Sequence, residues 1–360
     1  MNLKDRLIID EYRQNRASFV ALGDVVHDML RQIVERAGLM VLGIEHRVKE
    51  EDSLIGKLAR NGDYYQSLDD LTDILGARVI CFFSDEVDII GKMVEESFVI
   101  DWENSSDKRA LIKADTFGYL SLHYICSLPF NAGYPDDICG KRFEIQIRTN
   151  LQHTWAAINH DLGYKSEFGV PRVFAREFAR IAGLLEIADD EFMRVRDGMH
   201  AYSKVIREKI VENRADDVLI DMISLREYVN RNQKMKEFLA EITSICGAEL
   251  SEINPENYVE QLRWLGKKTL GDLQNMLKEN HDLALSLAKQ ALSCTDLDIL
   301  SSNVGLLYLC RAELYLKGYS SEQAAEFLKL SIRDKERAER QAERILQNCK
   351  KISEASHGEI

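Results

Sequence analysis

The segment Phe143-Glu144-Ile145-Gln146-Ile147-Arg148-Thr149 constrains this chain more than any other. Polar and apolar residues alternate with a period of two, the period of a β-strand. Ile145 and Ile147 then face a core, and Glu144, Gln146 and Arg148 share the opposite face. The strand continues into a helix expected from Asn150 to about Leu162. Three long polar groups on one sheet face suggest the wall of a cleft. A half-exposed edge strand is the alternative that this segment alone leaves open.

The surroundings of that strand alternate between strands and helices, which predicts an α/β or α+β sheet domain. Residues 4–36 read as a helix that Gly23 and Gly38 weaken or end. A second helix is expected from Ile44 to Arg60, carrying Arg47, Lys49, Ser53 and Lys57 on one broad face. Strands are expected at Ala77–Phe83, Phe98–Trp102 and Leu120–Leu128. A helix is expected at Asp85–Glu96, capped by Ser84 or Asp85. Glu103 to Thr116 is polar and reads as a loop, with a turn near Pro135.

After Pro171 the pattern becomes helical and stays so to Cys349. We place the boundary at 205/206, between a sheet domain and an all-helical region, 206–360. Val304 to Ile332 has the spacing of one tetratricopeptide-like hairpin, and Asp282 to Leu292 of half another. A repeat-type docking surface and a plain helical bundle both fit.

Composition bounds the function. The net charge of −13 argues mildly against a nucleic-acid partner, which a basic face would favour. The seven cysteines contain no C-x-x-C pair, so they read as reduced thiols rather than a zinc site. No apolar run approaches the roughly 18 residues that span a membrane, and the N-terminus lacks an apolar signal core. The expectation is a cytoplasmic protein without a membrane partner.

Phosphoryl chemistry needs cations around the phosphates, carboxylates for a hard metal ion and an acceptor for the attacking hydroxyl's proton. Arg47, Lys49, Ser53, Lys57 and Arg78 are candidates for the first. Asp73, just before one strand, and Glu144, at the head of another, are candidates for the second. Gly118-Tyr119-Leu120-Ser121-Leu122-His123 adds a backbone free to approach closely at Gly118. Tyr119 and His123 are suited to a base, and Ser121 to phosphate or backbone.

Together these residues resemble the RelA/SpoT-type alarmone synthetases. The resemblance rests on Glu144 to Thr149 with His153, Trp155 and His160-Asp161-Leu162-Gly163-Tyr164-Lys165. It also rests on Gly118-Tyr119-x-Ser121-Leu122-His123, on Arg47-x-Lys49 with Ser53 and Lys57, and on Asp73-Ile74-Leu75-Gly76-Ala77-Arg78. It covers roughly residues 40 to 200.

The resemblance implies a nucleotidyltransferase-like mixed sheet flanked by helices, so an α+β fold. It implies Mg2+-dependent transfer of pyrophosphate from ATP to the 3′-hydroxyl of GTP or GDP. Arg47 and Arg78 would embrace the adenine, and Lys49, Ser53 and Lys57 would bind the donor phosphates. Asp73 and Glu144 would hold magnesium, and Glu144 would polarise the acceptor hydroxyl. Tyr119 would stack on the acceptor base, with Ser121, His123, Gln146, Arg148 and His153 on the acceptor side.

Two departures from the family pattern shape the expectations. His27-Asp28 stands without a metal-ligand set, so no alarmone hydrolase is expected. Asp115 and Phe117 replace a basic or small polar stretch before Gly118, which keeps a toxin-type relative acting on the tRNA 3′ end in play. A non-catalytic nucleotide-sensing module is the third reading. Lys267-Lys268 and Arg333, Lys335, Arg337 and Arg340 are candidate basic patches, the latter more in keeping with a solvated helix of i,i+4 pairs. A protein partner or self-regulation through the C-terminal helices, and a homo-oligomer, are left open.

Overall fold

The structure, a computed structural model, describes residues 3–61, 64–107, 121–129, 133–164, 172–293, 295 and 297–357. The chain divides into two units after Arg196. That division falls inside a single long helix.

The first unit opens with α1 (Leu3–Ala37). Ile8, Ile9, Tyr12, Phe19, Leu22, Val26, Leu30 and Ile33 recur at helical spacing and are all buried. Gly23 does not interrupt the helix. It sits where α1 crosses the sheet, and a Cβ there would stand 2.6 Å from the His46 ring. Gly38, at φ 65°, is where the chain turns away.

The expected helix over 44–60 is instead two elements, β1 (Val41–Val48) and α2 (Glu51–Asn61). Residues 41–48 satisfy their backbone by pairing with the next strand, and that pairing overrides a helical reading of the local pattern. Glu51 and Asp52 then open α2 with the negative charge that a helix N-terminus favours.

The sheet continues with β2 (Leu75–Cys81), β3 (Val99–Asp107), β4 (Leu122–Ser127) and β5 (Phe143–Thr149). Its order is β1-β2-β5-β4-β3. Only β2 and β5 are parallel; the other pairs are antiparallel. β3 runs past Trp102 into the segment expected to be a loop, with an irregularity between Asp101 and Ser106.

Between β2 and β3 lies α3 (Ser84–Ser97). Its N-cap position is Phe83 and not the expected Ser84 or Asp85, and Glu86 of the first turn reaches back to accept from the Phe82 and Phe83 amides at 3.1 Å each. α4 (Asn150–Tyr164) follows β5, and α5 (Arg172–Val211) follows in turn. Ile181, Leu184, Ile187, Phe192 and Val195 on α5 are exposed, so its apolar periodicity predicts the helix without placing it in a core.

One sheet face is apolar. Leu75, Ala77, Val79 and Cys81 of β2, Phe143, Ile145 and Ile147 of β5, and Leu122, Tyr124 and Cys126 of β4 form a core with α1, α2 and α3. The opposite face carries the polar alternates.

The second unit is mostly helical: α6 (Met222–Arg231), α7 (Gln233–Cys246), α8 (Glu256–Trp264), α9 (Leu270–Leu292), α10 (Val304–Leu316), α11 (Ser321–Lys329) and α12 (Lys335–His357). Asp221, Asn232, Thr269 and Ser320 cap α6, α7, α9 and α11 through their side chains. α10 and α11 fall within the segment read as a tetratricopeptide-like hairpin, but α10 packs mainly on α9 and α11 on α12. Asp282–Leu292 is the second half of the 23-residue α9, not half of a separate repeat. Two short parallel strands, β6 (Glu249–Ser251) and β7 (Ile299–Ser301), were not expected in an all-helical region.

Two buried carboxylates of this unit, Glu313 and Glu227, are paired with cations. Glu313, 1% exposed, accepts from Asn280 at 2.6 Å and pairs with Lys267 at 2.7 Å. Lys267 is therefore an internal partner and not part of a basic surface patch.

Glu227 accepts from both Arg207 and Arg231 Nε at 2.8 Å and from Ser203 at 2.7 Å. Burial works to raise its pKa, but these donors outweigh burial and hold the carboxyl down at about 2, from an ordinary 4.5. A depressed carboxyl stabilises the fold above its unfolded pKa and loses that contribution as pH falls toward its folded one. The stability of this unit will therefore decline between about pH 4.5 and 2. Glu227→Gln will lower stability at neutral pH by roughly 1.5–3 kcal/mol and flatten that decline, measured by urea unfolding across pH.

Candidate active site

Sheet register assembles the polar face. Arg47, Gly76, Glu144 and Ile125 lie side by side across β1, β2, β5 and β4. Glu45, Arg78, Gln146 and His123 form the next row. Residues directly opposite one another on adjacent strands share a face, so these rows bring together groups far apart in the chain. A Cβ added at Gly76 would meet nothing within 4 Å. That glycine leaves open space between Arg47 and Glu144.

A hydrogen-bonded series runs along β4 and β5. Ser121 Oγ meets His123 Nε2 at 2.7 Å, and His123 Nδ1 meets Glu144 Oε1 at 2.7 Å. Gln146 Nε2 donates to Glu144 Oε2 at 2.7 Å, and Arg148 Nη2 donates to Gln146 Oε1 at 2.8 Å. Arg148 can only donate, so the Gln146 carbonyl must face it and the amide NH2 must face Glu144. With a proton on Nδ1, His123 donates to Glu144, and its Nε2 meets the Ser121 hydroxyl. The series thus fixes the orientation of the Glu144 carboxylate from both oxygens.

A second cluster forms where β1 ends and β2 begins. Asp73 accepts from Lys49 Nζ at 2.6 Å and from Lys57 Nζ at 2.8 Å, one lysine on each oxygen. Burial alone would raise the Asp73 pKa; the two ammonium groups outweigh it and bring the pKa down. Burial likewise works against the charge on Lys57, and Asp73 more than restores it. Tyr12, from α1, donates to the Lys49 carbonyl. The Lys57 ammonium also lies 5.3 Å from the centroid of the Tyr65 ring.

Cations crowd the middle of the face. Burial lowers the pKa of Arg78, and Arg47 adds repulsion. Burial pushes Arg148 down to about 10, with Arg78 as the next cause. Burial also lowers the His153 pKa, and Arg148 contributes. Arg148 Nε and His153 Nδ1 are buried without a hydrogen-bond partner. Unmet buried donors of this kind are uncommon and mark a place where another group can bind.

The structure therefore brings together Asp73, Lys49 and Lys57 in one cluster, and Ser121, His123, Glu144, Gln146 and Arg148 in another. Arg47 and Arg78 lie on the same face, Ser53 is exposed on α2, and His153 is on α4. Tyr119, Gly118 and the segment with Asp115 and Phe117 lie outside the described residues. Sequence reading missed Glu45, the cross-strand neighbour of Arg78 and an attractive charge for Arg78, Arg148 and His153. Reading 44–60 as one helix concealed it; the strand alternation in 41–48 was its signal.

Residues 46–168 match the family model for the region found in RelA / SpoT proteins. The chain is 29% identical over 160 residues to GTP pyrophosphokinase YwaC of Bacillus subtilis, covering 42% of this chain and 74% of that protein. It is 26% identical over 156 residues to GTP pyrophosphokinase YjbM of the same organism, covering 42% and 69%. Among solved structures it is similar to small alarmone synthetase 1 from Bacillus subtilis, with TM-score 0.45 and 22% identity over 53% of this chain and 99% of that one. It is also similar to a GTP pyrophosphokinase family protein from Streptococcus pneumoniae, with TM-score 0.46 and 25% identity over 56% and 97%. The region 46–168, which holds Lys49, Asp73, His123 and Glu144, is thus similar to the region found in RelA / SpoT proteins and to proteins named GTP pyrophosphokinase.

Proposed function

We propose that this chain transfers pyrophosphate from ATP to the ribose 3′-hydroxyl of GTP or GDP, releasing AMP. The observation that carries the reading is Glu144, held at both oxygens beside the open space over Gly76. The relatives named GTP pyrophosphokinase supply the reaction class.

In this reading Lys49, Lys57 and Ser53 receive the donor phosphates, and Arg47 and Arg78 flank the adenine. The acceptor oxygen forms a bond to the β-phosphorus of ATP as the bond from that phosphorus to the oxygen bridging to the α-phosphate breaks. Glu144 takes up the proton of the 3′-hydroxyl. His123 and Gln146 keep its carboxylate aimed, so that little reorganisation accompanies the reaction. Arg148 and Ser121 hold those two side chains in turn. Tyr119 is assigned to the acceptor base by the family pattern.

Asp73 and Glu144 would hold Mg2+. Their oxygens are the hard donors it prefers, and one or two carboxylates suffice when waters and phosphates complete the shell. When bound, the ion would neutralise charge developing on the transferred phosphates. The open space at Gly76 suits that role.

Incubation with γ-labelled ATP and GTP, GDP or deacylated tRNA tests the acceptor. Label is expected on the guanosine nucleotide; label confined to tRNA would replace that acceptor with the tRNA 3′ end. Binding of nucleotide without any transfer would leave a sensing module instead. Glu144→Gln is expected to slow transfer by roughly 10²–10⁴-fold while ATP affinity changes little, measured by initial rates and calorimetry.

His153 serves the acceptor side as a neutral hydrogen-bonding ring. Its imidazole is expected to titrate below 6.5 in two-dimensional NMR, and Arg148→Met to move the midpoint upward. A midpoint that Arg148→Met leaves in place would remove Arg148 as a cause.

A further inference from the structure

α12 carries basic residues of two kinds. Lys335 and Arg340 pair along the helix with Glu339 and Glu336 at 3.9 and 3.7 Å. Arg337 and Arg344 make no ion pair among the described residues. Positions 337, 340, 341 and 344 fall on one side of the helix, and all four line a cavity of about 730 Å³. Tyr308 and Arg311 of α10 and Gln290 of α9 complete its wall. Among the described residues, no acidic side chain lines it.

Arg311 is the informative member. Its guanidinium lies 5.6 Å from the centroid of the Tyr308 ring. Its Nε is buried with no hydrogen-bond partner. Burial lowers its pKa, and Arg344 adds a like charge. A largely enclosed cation without a carboxylate is costly, and the cost falls only when an anion enters. The protein supplies none there, although it supplies Glu313 to Lys267 and Glu227 to Arg207 elsewhere in the unit.

The cavity has the size of small-molecule sites, and its chemistry is mixed. Guanidinium forks match phosphate oxygens in pairs, and Tyr308 and the amides of Gln290 and Gln341 suit an organic ring. We propose that α9, α10 and α12 form a binding site for a nucleotide-sized, multiply phosphorylated small molecule. The site is independent of the one around Glu144 and needs no catalysis.

Isothermal titration of the full chain tests it, with GTP, inorganic tripolyphosphate and a hexaglutamate peptide as probes. The Lys49→Ala/Lys57→Ala background weakens phosphate binding on the sheet. In that background GTP or tripolyphosphate is expected to bind about one per chain, and adding Arg337→Glu and Arg344→Glu to weaken binding by at least about tenfold. Arg337 and Arg344 are exposed, so the reversals leave the fold intact. No binding in the lysine background, binding that survives the reversals, or binding of the peptide alone would overturn the proposal. Arg311→Met provides a second readout. It should abolish binding yet raise the melting temperature by a few degrees, roughly, because an unpaired charge leaves the interior. A lower melting temperature would make Arg311 a structural residue and sink the assignment.

Discussion

The parallel pairing of β2 with β5 is the constraint on which the first unit depends. It sets Gly76 opposite Glu144 and Arg78 opposite Gln146. Parallel neighbours cannot be joined by a tight turn, so the chain must leave the sheet and return. The connection contains α3, β3 and β4, and β4 comes back against the free side of β5. His123 thereby arrives beside Glu144, 21 positions away in sequence. A one-residue slip in either pairing would turn the polar alternates into the core and dismantle the hydrogen-bonded series.

The alternation in β5 was legible because each side chain reports its own face. Glu144, Gln146 and Arg148 could be read as one wall from seven residues. Their partners could not. Whether His123 donates to Glu144 is decided by the β4–β5 register, which no local pattern encodes. The lysines on Asp73 had the same difficulty, since Lys49 and Lys57 come from a turn and a helix rather than one helical face. Residues 44–48 read as helix because Arg47, Lys49, Ser53 and Lys57 also fit one broad helical face. Edge pairing with β2 decided between two acceptable local patterns, and Glu45 was lost with the wrong one.

In the second unit the helices were legible from periodicity, and their caps follow the chemistry of Asp221, Asn232, Thr269 and Ser320. The fate of its charges was not. Lys267 looked like half of a surface pair and is the counter-ion of buried Glu313. The basic run on α12 looked like a solvated face of i,i+4 pairs. That holds for Lys335 and Arg340, while Arg337 and Arg344 are without such a partner. Helical spacing alone cannot separate the two sets; the packing of α9 and α10 does.

Asp73 has one more implication. Each of its oxygens carries one ammonium group, so one carboxylate faces two cations and the cluster holds a surplus positive charge before anything binds. An anion that draws both lysines away strands a half-buried carboxylate, and a cation that displaces them strands two ammoniums. An anion and a cation arriving together give the two lysines and the carboxylate new partners in one exchange. Affinities for anion and cation at this spot must then be thermodynamically linked, each strengthening the other by the same factor. The cluster therefore opens more readily to a salt than to either of its ions.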